Sequence, residues 1–249
     1  MNNSVPATVK SPGQQLLVFR GALLGLLIGA GISVVPICGI RRSADLVLSE
    51  PTQVILFIEW IIVSAITGGA LLPKLILGDP LLKSFPETTN RFKRLFKQLI
   101  MPISALVFLL LYFAASGLCQ RLDMGVVHGD STTTQIFRYF GLLIASAGLG
   151  IQAYALLASA RTKQDEEAGT SYMRCLLMKL RHPCFFAALV ALTGIPIAMG
   201  TWYPLFAIPG IFIVMKWIVS EQEKMLVERF GERYILFQAG TKRLLPYIY

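Results

Sequence analysis

The sequence predicts an all-α integral membrane protein, and three observations point to this fold class. Hydrophobic residues make up 55% of the 249 residues and charged residues only 15%, whereas a soluble domain uses about 25% charged residues. Long apolar stretches recur along the chain, and most Lys and Arg residues lie in alternate connecting segments. The composition excludes a disordered chain and a disulfide-stabilised domain. No basic segment is long enough to form a nucleic-acid-binding domain.

The first four apolar stretches are long enough to be transmembrane helices. Each has about the 20 residues needed to cross about 30 Å of hydrocarbon. They are Leu16–Ile40, Val54–Gly78, Leu99–Leu118 and Ile136–Ser159. We therefore predict a four-span membrane bundle over residues 1–160.

Two shorter apolar stretches follow, Cys184–Gly200 and Trp202–Ser220, separated by a turn at Gly200 and Thr201. They predict a tight transmembrane helix hairpin in a C-terminal region over residues 161–249. Three prolines interrupt these stretches, at Pro196, Pro204 and Pro209. Since proline removes a hydrogen bond inside a helix, one half can be shallow or kinked. The predicted number of spans is six, with five as the alternative.

The distribution of basic residues predicts the orientation. With six spans, the two termini and the Lys74–Lys97 and Arg161–Arg181 loops share one side of the membrane, and this side carries nineteen of the 23 Lys and Arg residues. The other four are Arg41, Arg42, Arg121 and Arg138. Because basic residues gather on the cytoplasmic side, we expect both termini to be cytoplasmic.

Glycine spacing predicts close packing between helices. Gly21, Gly25 and Gly29 lie four residues apart in the first span, and Gly148 and Gly150 lie in the fourth. A nucleotide-binding loop would need a preceding strand, and the surroundings here are uniformly apolar. Small residues on one face of a membrane helix instead let two backbones approach each other.

Two amphipathic helices are expected at the membrane surface. The basic stretch Ser84–Lys97 contains three phenylalanines, which is typical of a helix lying on a membrane. From Glu221 to Gln238, apolar residues recur at steps of three and four, with a break expected at Gly231. Within the second span, Glu59 is expected to face the bundle interior, a partner or a water-filled cleft. The alternatives are that it lies near the membrane interface or makes a structural pair.

Polar residues cluster at both mouths of the predicted hairpin. Arg181, His182 and Pro183 precede its first helix, while Lys216, Glu221 and Glu223 stand at the end of its second. The hairpin would bring both clusters to one membrane face. One interpretation is a juxtamembrane charge cluster that serves topology.

The other interpretation of these clusters is a site for a zwitterionic cofactor. Arg181 and His182 suit the carboxylate of S-adenosylmethionine, and a Glu suits its ammonium group. Aromatic faces such as Phe185 suit its adenine ring and its sulfonium charge. The helix start at Pro183 also favours an anion.

Four short motifs, in order, resemble the isoprenylcysteine carboxyl methyltransferase and phospholipid methyltransferase superfamily. They are RHP at 181–183, EQE at 221–223 followed by Leu226, FGERY at 230–234 and TKRLLP at 241–246. The resemblance covers about residues 175–249. It implies a membrane-embedded enzyme that binds S-adenosylmethionine from the cytosol and takes a lipid-like acceptor from the bilayer, such as the carboxylate of a prenylated cysteine.

The resemblance also assigns roles to residues. It places Lys216 and Glu221 in the catalytic position. Together with the chemical argument above, it predicts a larger set around the cofactor, namely Arg181, His182, Pro183, Phe185, Glu223, Tyr234 and Arg243. The family usually reads RHPxYxG, but Phe185 replaces the Tyr here and Ala187 the Gly. Lys216 stands where isoprenylcysteine enzymes have an Arg, so the planar two-pronged grip on a carboxylate is lost.

The sequence is also compatible with other functions. Integral sterol reductases share a related C-terminal architecture but bind NADPH. A non-catalytic scaffold or a transporter is a further alternative, although a transporter would carry more polar residues through its spans than Glu59 and Gln152. No metal site is expected, since the chain has only two His and four scattered Cys.

Overall fold

A computed structural model describes residues 12–38, 50–77, 112, 114–120, 122–128, 131–161 and 180–244. Every regular element in these ranges is helical. The α-helices are α1 Pro12–Cys38, α2 Pro51–Leu77, α3 Ser131–Arg161, α4 Pro183–Ala198, α5 Ile208–Phe230 and α6 Glu232–Gly240, and a 3₁₀ turn, Tyr203–Ala207, precedes α5.

Four of the described helical stretches are long and apolar enough to cross a membrane. They are Gly13–Gly31, Pro51–Ala70, Ser131–Leu157 and Tyr203–Glu228. Helix α4 is apolar but has 16 residues, about 24 Å, which is short of the hydrocarbon thickness. The structure therefore agrees with an all-α membrane protein, while six spans and cytoplasmic termini stay predictions. Most of the predicted third span and all of Ser84–Lys97 lie outside the described residues.

Helices α1 and α2 pack at backbone distance, as the glycine spacing predicts. A methyl group on Gly25 would overlap the backbone of Ser64, and one on Gly68 would overlap the carbonyl of Gly21. At Gly29 it would lie 2.6 Å from the Cβ of Ser64. The four-residue step of these glycines thus follows one seam between two helices.

A second glycine seam joins α3 to α4. A methyl group on Gly148 would lie 2.7 Å from the carbonyl oxygen of Ala187, and one on Gly194 would overlap the backbone of Ala145. A methyl group on Gly150 would meet no atom within 4 Å, so the expectation of close packing is wrong there. The seam passes along one face of α3, and Gly150 lies on another face.

The hairpin turn lies where the sequence places it. Gly200 adopts φ +74, a left-handed conformation that glycine tolerates. Its carbonyl accepts a hydrogen bond from the amide of Val127 at 3.0 Å, and Gly125 accepts one from Trp202 at 3.0 Å. Beside this turn, Arg138 and Glu50 form an ion pair at 2.5 Å. We call this end of the hairpin its closed end.

The two arms of the hairpin are less tightly paired than expected. Helix α4 packs along α3 and contacts α5 only sparsely, because the small residues that permit close approach face α3. One apolar core contains residues from both sides of the predicted boundary between residues 160 and 161. It joins Leu142 and Leu149 of α3 to Leu192 and Ile195 of α4.

Helix α5 continues without a break from the apolar stretch into the amphipathic one. It ends at Phe230, and Gly231, with φ +56, separates it from α6. The expected interruption at Gly231 is therefore present. By length, Glu223 lies about 22 Å along α5 from its start, which matches the length of α4 and brings Glu223 back to the level where α4 begins.

Candidate functional site

The C-terminal segment lies against the residues that precede α4. Leu180 and Lys242 form a parallel β-bridge, and the amide of Arg181 donates to the carbonyl of Lys242 at 2.8 Å. Leu180 and Leu244 are both 3% exposed, so apolar burial supports the contact on each side. The RHP triplet and the TKRLLP motif are thereby neighbours at the open end of the hairpin, where α4 begins.

Arg181 connects three parts of this end of the molecule. Its Nε donates to Glu223 Oε1 at 2.7 Å. Its Nη1 donates to the carbonyls of Gln238 at 2.9 Å and Thr241 at 2.6 Å. The side chain is 12% exposed, so these bonds form largely out of water.

Glu223 is the central anion of the cluster. It is 6% exposed, and both of its oxygens have guanidinium partners, because Arg243 Nη2 lies 2.7 Å from Oε2. Two guanidinium groups against one carboxylate leave the cluster with a net positive charge. A buried carboxylate is stable only when it is paired and hydrogen-bonded, and this one satisfies both conditions.

His182 is buried beside the ion cluster. It is 5% exposed, and its Nε2 lies 3.4 Å from Glu223 Oε1, which is too far for a well-formed hydrogen bond. That nitrogen makes no hydrogen bond to the described part of the protein. The ring of Phe185 lies edge-on to the imidazole, with the ring centroids 6.0 Å apart.

The structure therefore joins five of the seven predicted cofactor residues through the contacts described above. The five are Arg181, His182, Phe185, Glu223 and Arg243. Pro183 occupies the first turn of α4. Tyr234 is 5% exposed on α6, with its ring 5.9 Å from that of Phe237.

The two predicted catalytic residues lie outside the ion cluster. Glu221 accepts a hydrogen bond from Lys224 Nζ at 2.9 Å on the exposed side of α5. Lys216 is exposed and lies seven residues before Glu223, about 10 Å nearer the closed end. Glu221 and Glu223 are two residues apart on one helix, so they point to nearly opposite sides.

Sequence reasoning missed two of the groups that build the cluster. The carbonyls of Gln238 and Thr241 bind Arg181 through the backbone, so no side-chain pattern marks them. Burial in the structure, rather than residue identity, distinguishes Glu223 from Glu221. Glu223 lies at a four-residue spacing from Ile211 and Val219, which are 6% and 0% exposed, whereas Glu221 lies off that spacing.

Comparison of the chain with protein-family models, with curated proteins and with solved structures gives no match.

Proposed function

We propose that the protein is an integral membrane methyltransferase that uses S-adenosylmethionine and acts on a lipid-like acceptor, with the carboxylate of a prenylated cysteine as the leading candidate. One observation carries the proposal. The RHP triplet, the EQE motif and the TKRLLP motif meet around the buried Glu223, although Arg181 and Glu223 are 42 residues apart in sequence. These are the motifs on which the family resemblance rests.

Part of the cluster fits the proposed cofactor. The buried Nε2 of His182, whose nearest polar contact is Glu223 Oε1 at 3.4 Å, suits an oxygen or nitrogen atom of a polar ligand. The adjacent ring of Phe185 suits an adenine ring or a sulfonium charge. The net positive charge around Glu223 favours a carboxylate.

Another part of the cluster does not fit the role expected of it. An ammonium group needs a carboxylate with a free oxygen, and both oxygens of Glu223 already have guanidinium partners. Glu223 therefore does not hold the ammonium in our proposal. Glu221 is not assigned to the ammonium either, because it is paired with Lys224 and points to nearly the opposite side of α5 from the cluster.

The residues of this chain contribute mainly by positioning. When bound, S-adenosylmethionine supplies a methyl group on a positively charged sulfur, which a nucleophile displaces directly. A carboxylate or thiolate acceptor is already a nucleophile, so the site needs alignment rather than a strong base. A neutral amine or hydroxyl acceptor would need a proton acceptor, and Glu221 is the candidate carboxylate.

The direct test is transfer of a labelled methyl group by purified protein in detergent. The acceptors are a prenylated cysteine, phosphatidylethanolamine and a small thiol. We expect transfer to the prenylated cysteine, and a drop of about 100-fold or more in His182→Ala because one positioned group is lost. The matched control is His128→Ala, since His128 is the other histidine of the chain and its side chain is 70% exposed.

Three results would contradict the proposal. Full activity of His182→Ala would remove the histidine from the site. No transfer to any acceptor, combined with saturable binding of NADPH, would favour the reductase alternative, while binding of neither cofactor would favour a non-catalytic membrane protein.

A further inference from the structure

Arg181 lies where the resemblance implies a ligand contact, yet three of its five side-chain donors are used inside the protein. An arginine has five N–H groups, and three of those in Arg181 point at Glu223, Gln238 and Thr241. The backbone amide of Arg181 is also bonded, to Lys242. A ligand carboxylate could grip the guanidinium with both of its oxygens only by displacing one of these bonds, because each two-pronged face of the group includes Nε or Nη1.

The two carbonyls bound by Arg181 lie at the C-terminal end of α6. The last carbonyls of a helix have no partner within the helix, and they form the negative end of its dipole. Helix α6 ends at Gly240, so Gln238 and Thr241 are at this end. Arg181 therefore caps α6 from a distant part of the chain, and it does so with two N–H groups of one nitrogen.

Glu223 keeps this cap in place. It binds Arg181 through one oxygen and Arg243 through the other, and so joins the RHP triplet to the segment after α6. Residues 241–244 are thereby fixed across the open end of the hairpin. His182 follows Arg181 directly, so its position depends on the same bonds.

We propose that Arg181 and Glu223 are positioning residues, which clamp residues 241–244 across the hairpin and present His182 to the ligand without contacting the ligand themselves. We call Arg181, Glu223 and Arg243 the clamp. The part of the proposal that concerns the ligand rests on the proposed function, whereas the clamping of residues 241–244 does not.

The decisive variant is Arg181→Lys. It keeps the charge of the clamp, but a lysine carries its donors on one nitrogen and cannot bind Glu223 and cap α6 in the planar geometry of a guanidinium. Glu223→Gln is the second variant, although it leaves two guanidinium groups around a neutral amide and can impair folding. The control is Glu228→Gln, an exposed glutamate on the same helix.

The first measurement is hydrogen exchange of the amides in residues 181 and 241–244, on the full chain in lipid nanodiscs. We expect Arg181→Lys to accelerate exchange there by about 10-fold or more and to leave exchange in the α3–α4 seam unchanged. Glu228→Gln should behave like the wild type. Exchange that is equally slow in Arg181→Lys and in the wild type would overturn the clamp.

The second measurement is S-adenosylmethionine titration and methyl transfer by the same samples. We expect Arg181→Lys to raise the KM for S-adenosylmethionine about 10-fold while kcat at saturation changes less than about threefold. Lost binding with wild-type exchange would make Arg181 a direct ligand contact and overturn the proposal. If the wild type neither binds nor transfers but the exchange difference persists, the proposed function fails and the clamp stands.

Discussion

Replacement of Gly148 by alanine tests the close approach of α3 and α4. The added methyl carbon would lie 2.7 Å from the carbonyl oxygen of Ala187 and 2.8 Å from the Cα of Ala191. Ordinary van der Waals contacts begin near 3.4 Å, so the distances to these two atoms are 0.7 and 0.6 Å shorter than an ordinary contact. Both are backbone atoms, which cannot move aside without moving the helix.

The expected loss of stability in Gly148→Ala is about 2 kcal/mol. Overpacking costs up to about 3 kcal/mol, and alanine regains about 1 kcal/mol through its higher helix propensity. For a chain of this length, a loss of about 2 kcal/mol lowers the melting temperature by about 4–8 °C. Displacement of α4 would also move His182, which immediately precedes it.

Gly150 supplies a matched control in the same helix. A methyl group there meets nothing within 4 Å, so Gly150→Ala should be neutral or should stabilise the protein by up to about 1 kcal/mol. Both variants are compared with the wild type in one detergent, with tryptophan fluorescence as the probe of unfolding. Equal melting temperatures for Gly148→Ala and Gly150→Ala would show that the seam is not close-packed.

Two further predictions concern polar contacts between helices. In Ser146→Ala, loss of the hydroxyl that donates to Glu59 Oε2 at 2.8 Å should lower the free energy of unfolding by about 0.6–1.7 kcal/mol, measured by denaturant titration in detergent; an unchanged value would mean that the bond is not formed in the membrane. In Glu50→Gln, the ion pair with Arg138, whose side chain is 16% exposed, loses its charge, which should cost about 1–3 kcal/mol in the same titration. A denaturant unfolding curve identical to that of the wild type would contradict the second expectation.

The helical fold could largely be predicted from the sequence, because apolar length alone distinguishes membrane helices from loops. Glycine spacing also identified the face of α1 that meets α2, at Gly25 and Gly29. It could not reveal that α4 prefers α3 over α5. That preference depends on Gly194 meeting Ala145, which are small residues far apart in a chain rich in small residues.

The candidate site was less accessible to sequence reasoning. The meeting of Arg181 with Glu223 follows from hairpin length, since two arms of similar length return to the same level. The choice between Glu221 and Glu223 depends on how α5 is rotated, and a helix that is apolar on nearly every side over its first turns hides that rotation. The capping of α6 by Arg181 involves backbone carbonyls. Because every residue has a backbone carbonyl, the side-chain sequence cannot predict this contact.

The clamp also has a consequence for biogenesis. Glu223 cannot have both of its guanidinium partners until Arg243 has been synthesised, because Arg181 precedes it in the chain and Arg243 follows it. The cluster is therefore completed only when nearly all of residues 180–244 have been made.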